Sequence, residues 1–344
     1  MNGAEATTTH QVHTADSARL SFLRAGSVDL TVTSPPYPMI KQWDAEFAAD
    51  PKVAAALAAK DGPAAFEAMH RQIDAVWRQV ARVTRPGGFA CINVGDATRS
   101  IGGSFRLFAN HVRVTTAFLR LDFVCLPPIV WRKETNAPNK FMGSGMLPAG
   151  AYVTLEHELI LVLRKGAPRT FDGAAERRRR RQSAVFWEER NQWFSDLWTF
   201  KGVRQGKGAD RTGAFPFELA FRLVHMYSAR GDVVLDPFLG TGTVCLAAAA
   251  GRRNSVGVER APKRAANARQ VLLGGAREAS RRTKARLESH RRFADSGARE
   301  LRYHNDALGM PVMTRQETDL RLDQVVGIEE GEGEALVALH APLP

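Results

Sequence analysis

The sequence has few cysteines and no long apolar run. It contains three cysteines in 344 residues. Cys91, Cys125 and Cys245 stand singly in apolar stretches, which predicts reduced core thiols and neither a disulfide framework nor a metal site. No stretch of eighteen apolar residues occurs, so no helix is expected to span a bilayer. Residues 1 to 14 lack the basic start and apolar segment of a secretion signal, and we expect a flexible tail on a cytoplasmic protein.

Acidic residues are outnumbered by basic ones. The chain has 48 Lys and Arg against 36 Asp and Glu, a formal charge of +12 and a pI near 10.1. This balance suits a phosphate-rich partner such as DNA, although RNA, an anionic membrane or solubility alone would also fit it. The length allows one large α/β domain with a smaller region beside it.

Apolar stretches of strand length alternate with stretches of helical period, a pattern typical of an α/β protein with a mostly parallel sheet. Apolar residues recur at helical spacing from residue 66 to 84, and a second helix is expected from 105 to 121. Strands are expected at residues 89 to 94, after a Pro-Gly-Gly stop, and at 123 to 131 and 155 to 164.

A rigid turn, Ser34-Pro35-Pro36-Tyr37, follows the apolar run at residues 28 to 32. Proline fixes φ and removes the N–H, so the turn presents carbonyl acceptors. The Ser34 hydroxyl and the Pro35 carbonyl could accept both N–H groups of a planar amine and localise its lone pair, while Tyr37 stacks on the ring. A nucleobase would have to be flipped out of its duplex to reach this turn. An ordinary loop after a strand is the alternative.

A glycine-rich turn follows a second apolar run at residues 233 to 235. Asp236 ends this predicted strand, and Gly240 and Gly242 let the backbone approach a ligand before a helix begins. Glu259 stands at the end of the next predicted strand, where an acidic side chain can accept hydrogen bonds from ribose hydroxyls. No lysine follows in a Walker pattern, so a nucleoside cofactor is expected and a triphosphate is not. A glycine-rich helix start beside a surface glutamate is the alternative.

The two motifs resemble those of the S-adenosylmethionine-dependent DNA amino-methyltransferases, which have a Ser/Asp/Asn-Pro-Pro-aromatic tetrapeptide and a Phe-x-Gly-x-Gly cofactor turn. The catalytic motif comes first, which looks like the permuted beta group. The resemblance covers about residues 10 to 270 and implies a Rossmann-like methyltransferase fold, doubly wound with helices on both faces. It implies a catalytic role for Ser34, Pro35, Pro36 and Tyr37 and a cofactor-binding role for Asp16, Phe215, Asp236, Pro237, Phe238, Gly240, Gly242, Thr243 and Glu259.

The same resemblance suggests how the chain is divided. Residues 15 to 274 would form the catalytic domain, with 165 to 212 as an inserted target-recognition region and 275 to 344 as an extension of uncertain role. The insert contains five consecutive arginines near several aromatic residues, and arginines neutralise phosphates and read guanine edges. The expected DNA contacts are Arg177, Arg178, Arg179, Arg180, Arg181 and Lys140. An exposed charged helix is the alternative, both for this run and for the basic stretch at 281 to 292.

The resemblance implies direct in-line methyl transfer from S-adenosyl-L-methionine to an exocyclic amine of duplex DNA, without a covalent intermediate. A first-position serine is more typical of cytosine N4 in that family, and aspartate of adenine N6, so cytosine N4 is favoured and adenine N6 stays open. Carbon-5 methylation is not expected, because no cysteine follows a proline. The pattern also leaves open a non-catalytic DNA-binding module and a methyltransferase for small molecules or proteins. A cognate restriction endonuclease is a candidate partner, and a nucleoid-associated monomer or homodimer is expected.

Overall fold

The computed structural model describes residues 6 to 133, 142 to 202 and 215 to 343. Its strands are β1 (Ala6–Thr14), β2 (Val28–Thr33), β3 (Thr84–Val94), β4 (Ala97–Ile101), β5 (Ser104–Phe108), β6 (Phe123–Lys133), β7 (Met142–Gly143), β8 (Ala151–Tyr152), β9 (His157–Lys165), β10 (Leu197–Phe200), β11 (Val233–Asp236), β12 (Asn254–Glu259), β13 (Tyr303–Asn305), β14 (Met310–Val312), β15 (Asp323–Glu330) and β16 (Ala335–Pro342). Its helices are α1 (Asp44–Phe47), α2 (Pro51–Ala58), α3 (Gly62–Val83), α4 (Asn110–Leu119), α5 (Ala174–Gln182), α6 (Trp187–Trp193), α7 (Phe217–Tyr227), α8 (Thr243–Ala250), α9 (Pro262–Leu273) and α10 (Ala276–Asp295). No helix among these is long and apolar enough to cross a membrane.

Ten strands form one sheet in the order β10-β6-β9-β3-β2-β11-β12-β1-β16-β15. The five central strands β3, β2, β11, β12 and β1 are parallel to one another, and β10 is parallel to β6. β9 and β16 run antiparallel to the strands on either side of them. The predicted α/β fold with a mostly parallel sheet is confirmed. Because the central strands are parallel, their carboxyl ends meet at one edge and their amino ends at the other.

Alternate residues of the central strands face two different helical layers. Val234 packs in a cluster with α7 and α8, whereas Leu235 packs in a cluster with α3 and α4. α8 is almost entirely alanine and small apolar residues after its first turn, and it is buried along its length against the sheet. α3 is amphipathic and begins after Asp61, whose carboxylate accepts a hydrogen bond from the Ala64 N–H at 3.0 Å.

Several predicted elements are confirmed and two are wrong in part. The predicted helix at 66 to 84 is α3, and the strands predicted at 123 to 131 and 155 to 164 are β6 and β9. β6 accommodates its two prolines because its register with β9 shifts between Leu126 and Ile129. The predicted helix at 105 to 121 is wrong at its start, since Ser104–Phe108 pairs with β4 as a hairpin. The Pro-Gly-Gly sequence does not separate the helix from the next strand. It lies inside β3, which begins at Thr84 directly after α3 ends.

The expected flexible tail over residues 1 to 14 is wrong from Ala6 onwards. β1 lies inside the sheet, parallel to β12 and antiparallel to β16. Its buried polar side chains have internal partners: Thr8 Oγ1 lies 2.8 Å from His340 Nε2, and His10 Nδ1 lies 2.8 Å from Ser255 Oγ. A strand whose polar residues are satisfied by distant partners looks hydrophilic in sequence, which explains the error.

The cysteine prediction holds for two of the three thiols. Cys91 and Cys245 are buried in the sheet and in α8. Burial raises the pKa of the Cys91 thiol and raises the pKa of Cys245 to about 12. Cys125 is exposed on β6, so the expectation that it is a core residue is wrong. It lies on the stretch of β6 that precedes the register shift at the two prolines.

Residues 275 to 343 extend the same sheet. β16 pairs with β1, β15 forms the edge, and α10 packs against β15 and α8. Three of the arginines predicted on a basic helix face are held in ion pairs. Arg286 forms two buried hydrogen bonds with Glu189, Arg282 forms two with Glu218, and Arg281 forms two with Glu278. The helix face is therefore only partly free, at Lys284, Arg291 and Arg292.

Candidate active site

The two sequence motifs lie side by side at the carboxyl edge of the sheet. The turn at Ser34 to Tyr37 follows β2 directly, and Asp236 ends the neighbouring parallel strand β11. Thr33 Oγ1 donates a hydrogen bond to the Asp236 carboxylate at 2.6 Å, which joins the ends of the two strands. Segments that are about two hundred residues apart in sequence therefore share one site.

A cavity of about 370 Å³ opens at this edge, a size within the range of small-molecule sites. Both motifs contribute to its wall. The predicted site residues that line it are Asp16, Ser34, Pro35, Pro36, Tyr37, Pro237, Phe238, Gly240 and Glu259.

The other predicted cofactor residues lie behind or beside this wall. Asp236 and Gly242 support the glycine-rich turn, and Thr243 begins α8. Phe215 is 7% exposed and belongs to the core cluster of α7, just before that helix begins. Among the described residues, these four are not in the cavity wall. Lys140 lies outside the described residues.

Asp236 is a buried carboxyl group that organises the glycine-rich turn. One of its oxygens accepts hydrogen bonds from Thr33 Oγ1 and, at 3.1 Å, from the Phe238 N–H. Burial raises the pKa of Asp236 to about 7, and the Thr33 and Phe238 hydrogen bonds oppose this shift. A cationic ligand bound beside the turn would favour the ionised form of this carboxyl group.

Gly242 is required by the backbone of the turn. Its φ of 83° lies in the left-handed region, and it caps the amino end of α8. A Cβ atom at this position would lie 3.2 Å from the Ala268 carbonyl oxygen in α9. A side chain here would therefore strain the turn and push α9 away.

The acidic residues of the cavity fit a nucleoside. Asp16 accepts a hydrogen bond from the Ala18 N–H and Glu259 accepts one from the Ala261 N–H, both at 2.9 Å. The second oxygen of each carboxylate has no hydrogen-bond partner among the described residues, so it can accept from a ligand hydroxyl or amine. Apolar side chains between them, among which are Val258 and Phe238, offer surface for a flat ring. The wall thus matches the polarity of a nucleoside cofactor.

Tyr37 is held by a hydrogen-bond network that the sequence did not reveal. Its hydroxyl lies 2.7 Å from Ser34 Oγ, 3.0 Å from Glu158 Oε2 and 2.9 Å from Asn93 Nδ2. Glu158 also accepts from Asn93 Nδ2 at 2.6 Å and forms an ion pair with Lys133. Burial and the neighbouring Glu158 raise the pKa of Tyr37 well above its ordinary value, so its hydroxyl stays protonated.

The donors and acceptors in this network fix the direction of the bond to Ser34. The Tyr37 hydroxyl has two acceptors within reach, Glu158 Oε2 at 3.0 Å and the Asn93 carbonyl at 3.4 Å. When the Tyr37 proton is donated to Glu158 and the Asn93 amide donates to the Tyr37 oxygen, the contact with Ser34 Oγ is donated by Ser34. The Ser34 proton is thereby committed, and its lone pairs remain for a hydrogen-bond donor in the cavity. Ser34 is thus an acceptor at this site.

Several residues of the site were missed in the sequence. Glu158 begins an antiparallel strand, and only the sheet topology brings its side chain to the carboxyl ends of β2 and β3. Phe47 of α1 and Ile73 and Val76 of α3 also line the cavity. They lie beside Trp43, which is in the segment after the catalytic turn that the sequence suggests as a helical lid. The helical period of α3 was visible in sequence, but the face that it turns to the site was not.

The five consecutive arginines lie elsewhere. They belong to α5, where Arg179 lies 3.6 Å from Asp232, the residue before β11 begins. The catalytic edge is at the other end of β11, where Asp236 stands. Within the described residues, none of the five lines the cavity at Ser34. Their contact with DNA stays a prediction, and it would occur away from the site of the target base.

Comparisons with known proteins point to one family. The family model for N6/N4 methylases, described as DNA methylase, matches residues 28 to 270. The Type II methyltransferase M.MthZI of Methanothermobacter thermautotrophicus is 46% identical over 326 residues, which cover 92% of this chain and 90% of that protein. M.MjaI of Methanocaldococcus jannaschii is 44% identical over 277 residues, covering 75% and 89%. The structure of TTHA0409 of Thermus thermophilus, solved with S-adenosyl-L-methionine, is similar with a TM-score of 0.61 and 32% identity, covering 77% of this chain and 95% of that one.

Proposed function

Because this chain belongs to the DNA methylase family of N6 and N4 amino-methyltransferases, which use S-adenosyl-L-methionine, we propose that it methylates the exocyclic N4 amine of cytosine in duplex DNA. The observation that carries the proposal is the position of Ser34. Its oxygen is an acceptor in a cavity shared with the cofactor turn, which is where an amine must be held during transfer.

The cavity residues divide the work between cofactor and base. S-adenosyl-L-methionine supplies an electrophilic methyl group when bound. Glu259 would accept hydrogen bonds from the ribose hydroxyls, and Asp16 from the adenine amine. Gly240 and Gly242 let the backbone lie close to the cofactor, and Asp236 holds that turn in place. Phe215 would support the turn from the core side.

On the base side, Ser34 Oγ and the Pro35 carbonyl would accept the two N–H groups of a flipped base. Pro36 keeps the turn rigid, and Tyr37 forms the wall on which the base rests. Held in this way, the amine nitrogen would have its lone pair localised for direct in-line transfer, in which the new C–N bond would form as the methyl–sulfur bond of the cofactor breaks. The methylated nitrogen would then release one proton to water. No covalent bond between enzyme and base is needed.

The choice of cytosine rests on the serine at the first motif position. In the family that the chain resembles, serine is more typical of cytosine N4 and aspartate of adenine N6. A neutral Ser34 that donates to Tyr37 keeps lone pairs for an amine donor, which supports this choice. This geometry also accommodates the adenine amine, so the base must be identified by experiment.

The target base can be identified directly from modified DNA. Unmethylated genomic DNA is incubated with the protein and S-adenosyl-L-methionine, digested to nucleosides and analysed by mass spectrometry. We expect N4-methyl-2′-deoxycytidine in the treated sample and none with the Ser34→Ala variant. N6-methyl-2′-deoxyadenosine as the sole product would overturn the cytosine assignment while leaving the amino-methyltransferase activity intact. Single-molecule sequencing of the same DNA would give the recognition sequence.

The chain order supports two further assignments. The strand with the catalytic motif precedes the strand with the cofactor turn, as in the permuted beta group. β10 is parallel to β6 and therefore ends at the same edge of the sheet as β2. We therefore propose that the inserted region of residues 165 to 212, to which β10 belongs, carries target recognition within the catalytic domain of residues 15 to 274. A restriction endonuclease with the same recognition sequence is the partner that this function implies.

A further inference from the structure

A second, larger concave surface lies at the amino edge of the sheet. Its volume is about 1310 Å³, and its wall is formed by the amino ends of β2 and β3, by α5 and α6, and by the carboxyl end of α7. Asp29 lies in this wall and Ser34 in the active site, at opposite ends of β2. A strand rises about 3.3 Å per residue, so the two are separated by about 16 Å. We call this surface the arginine groove.

The arginine groove carries an excess of positive charge. Eight arginines line it against four carboxylates. The carboxylates already have partners: Asp29 and Asp232 bind Arg169, Asp319 binds Arg181, and Glu317 accepts from backbone N–H groups. Five of the lining arginines form no ion pair with a carboxylate in the described part of the chain, namely Arg164, Arg177, Arg180, Arg190 and Arg315. A concave wall with unpaired cations concentrates the field and attracts anions.

Arg169 is fixed in the floor of the groove. Its backbone lies against β3, where a Cβ atom on Gly87 would stand 2.5 Å from the Arg169 nitrogen. One of its terminal nitrogens binds both Asp29 and Asp232, but Nε and Nη2 are buried without a hydrogen-bond partner. These two donors have almost no accessible surface, so they do not face the groove. Arg169 therefore adds positive charge to the floor of the groove and is held there by Asp29 and Asp232.

Aromatic rings alternate with these guanidinium groups. Phe171 lies between Arg169 and Arg180, at 4.5 and 4.8 Å from the two groups. Phe194 is 45% exposed, lies under Arg190 and contacts Tyr227. Rings beside guanidinium planes provide faces on which unpaired nucleobases stack.

We propose that the arginine groove binds a single-stranded segment of nucleic acid. The phosphates would lie against the unpaired arginines, and bases would stack on Phe194 and Tyr227. The bases of a duplex have no free faces for such stacking, and the volume exceeds that of a typical small-ligand pocket. The groove and the active site lie at opposite edges of the sheet, so the segment in the groove is not the nucleotide that is methylated.

The proposal is tested by fluorescence anisotropy with the full chain and a labelled single-stranded DNA of about 12 nucleotides, a length within the range of such sites. Excess unlabelled duplex occupies the catalytic face. The groove variant combines Arg180→Gln, Arg190→Gln and Arg315→Gln, which are exposed and have no carboxylate partner. The matched control combines Lys284→Gln, Arg291→Gln and Arg292→Gln on α10, which removes the same charge. Circular dichroism melting checks that both variants fold. If the triple groove variant does not fold, the single variant Arg190→Gln replaces it in the binding measurement.

We expect the groove variant to bind the probe at least about tenfold more weakly. The slope of the logarithm of the binding constant against the logarithm of the salt concentration should become shallower by about 2, which corresponds to three lost phosphate contacts. The control should stay close to wild type. Phe194→Ala should also weaken binding by about tenfold, since it removes a stacking surface. Equal losses in the groove and control variants, an unchanged affinity with Phe194→Ala, or displacement of the probe by duplex would each overturn the proposal. A labelled RNA of the same length shows whether the groove prefers DNA or RNA.

Discussion

The two edges of the central sheet carry different kinds of polar surface. At the carboxyl edge, a cavity of about 370 Å³ is lined by short turns, two carboxylates with free oxygens and a serine whose proton is already committed. At the amino edge, a groove of about 1310 Å³ is lined by arginines, and its carboxylates are all paired. One edge thus presents acceptors to a small ligand with hydrogen-bond donors, and the other presents donors to an extended anion.

This difference follows from how each surface is built. In the cavity, each acceptor is fixed by a neighbour within the same turn or by a buried network, so its direction is set before a ligand arrives. Such preorganisation is what methyl transfer to a poorly nucleophilic amine requires. In the groove, four of the five arginines of α5 are exposed, and their long side chains can follow a flexible chain of phosphates. Chemistry is expected only at the first edge.

The strongest test of this difference is Ser34→Ala, which removes the acceptor at the carboxyl edge. The rate of methylation at saturating DNA should fall by about 10²- to 10³-fold, as it does when one preorganised polar group is removed from other active sites. Cofactor affinity measured by calorimetry should change little, because the proposed function places Ser34 against the base and not against the cofactor. The control is Ser21→Ala, at an exposed serine that precedes β2 in the chain. A variant that methylates at the wild-type rate would show that the base is held elsewhere.

Asp236 gives a test that needs no DNA. Its folded-state pKa of about 7 lies above the ordinary value of 3.8, so the folded protein keeps a proton that the unfolded chain releases between these values. The free energy of unfolding should therefore decline by a few kcal/mol, on the order of the shift, as the pH rises through this window. Asp236→Asn keeps an oxygen that can accept from Thr33 and Phe238. Urea unfolding of both proteins at several pH values should show that the free energy of unfolding depends less on pH in the variant. The same pH dependence in both proteins would refute the raised pKa of Asp236.

Tyr37→Phe examines the direction of the hydrogen bond from Ser34. Without the tyrosine hydroxyl, Ser34 loses the acceptor that commits its proton, and it can present either a donor or an acceptor to the base. We expect the rate of methylation to fall by about tenfold, consistent with the loss of one hydrogen bond near a charged group. The Michaelis constant for the cofactor should stay unchanged in steady-state assays. Tyr303→Phe, at a largely exposed tyrosine on β13, is the control, and an equal effect there would contradict the role of the network.

The sequence was most informative where a function lies in one short segment. The Ser34 turn and the Gly240 turn each combine a strand end with residues of special backbone geometry, and both motifs were placed correctly at neighbouring strand ends. The alternation of elements also predicted the sheet. Each of these signals is local, since it depends on residues close together in the chain.

What the sequence did not reveal depends on contacts between distant segments. Glu158 reaches Tyr37 only because β9 runs antiparallel to β3. The polar residues of β1 suggested a flexible tail because their partners, such as His340, lie at the other end of the chain. The arginines of α5 were expected to contact DNA within the target-recognition region, but the chain after β9 first turns around the amino edge of the sheet, away from the catalytic cavity. No local pattern contains this information.

The smallest expected effect concerns the helical segment beside the cavity. Glu46 of α1 forms an ion pair with Arg260 at 2.7 Å, and this pair links the segment to the end of β12. Arg260 is 63% exposed at its side chain, so Glu46→Gln should lower the free energy of unfolding by less than about 1 kcal/mol. Glu46 also lines the cavity, so the Michaelis constant for the cofactor should nevertheless rise. We expect a rise of about twofold, which is a free-energy difference of the size that an exposed ion pair contributes. Added salt should raise the Michaelis constant of the wild type towards that of the variant, since salt screens an exposed ion pair. A Michaelis constant equally insensitive to salt in both proteins would mean that the segment is held by the packing of Trp43 and Phe47 alone.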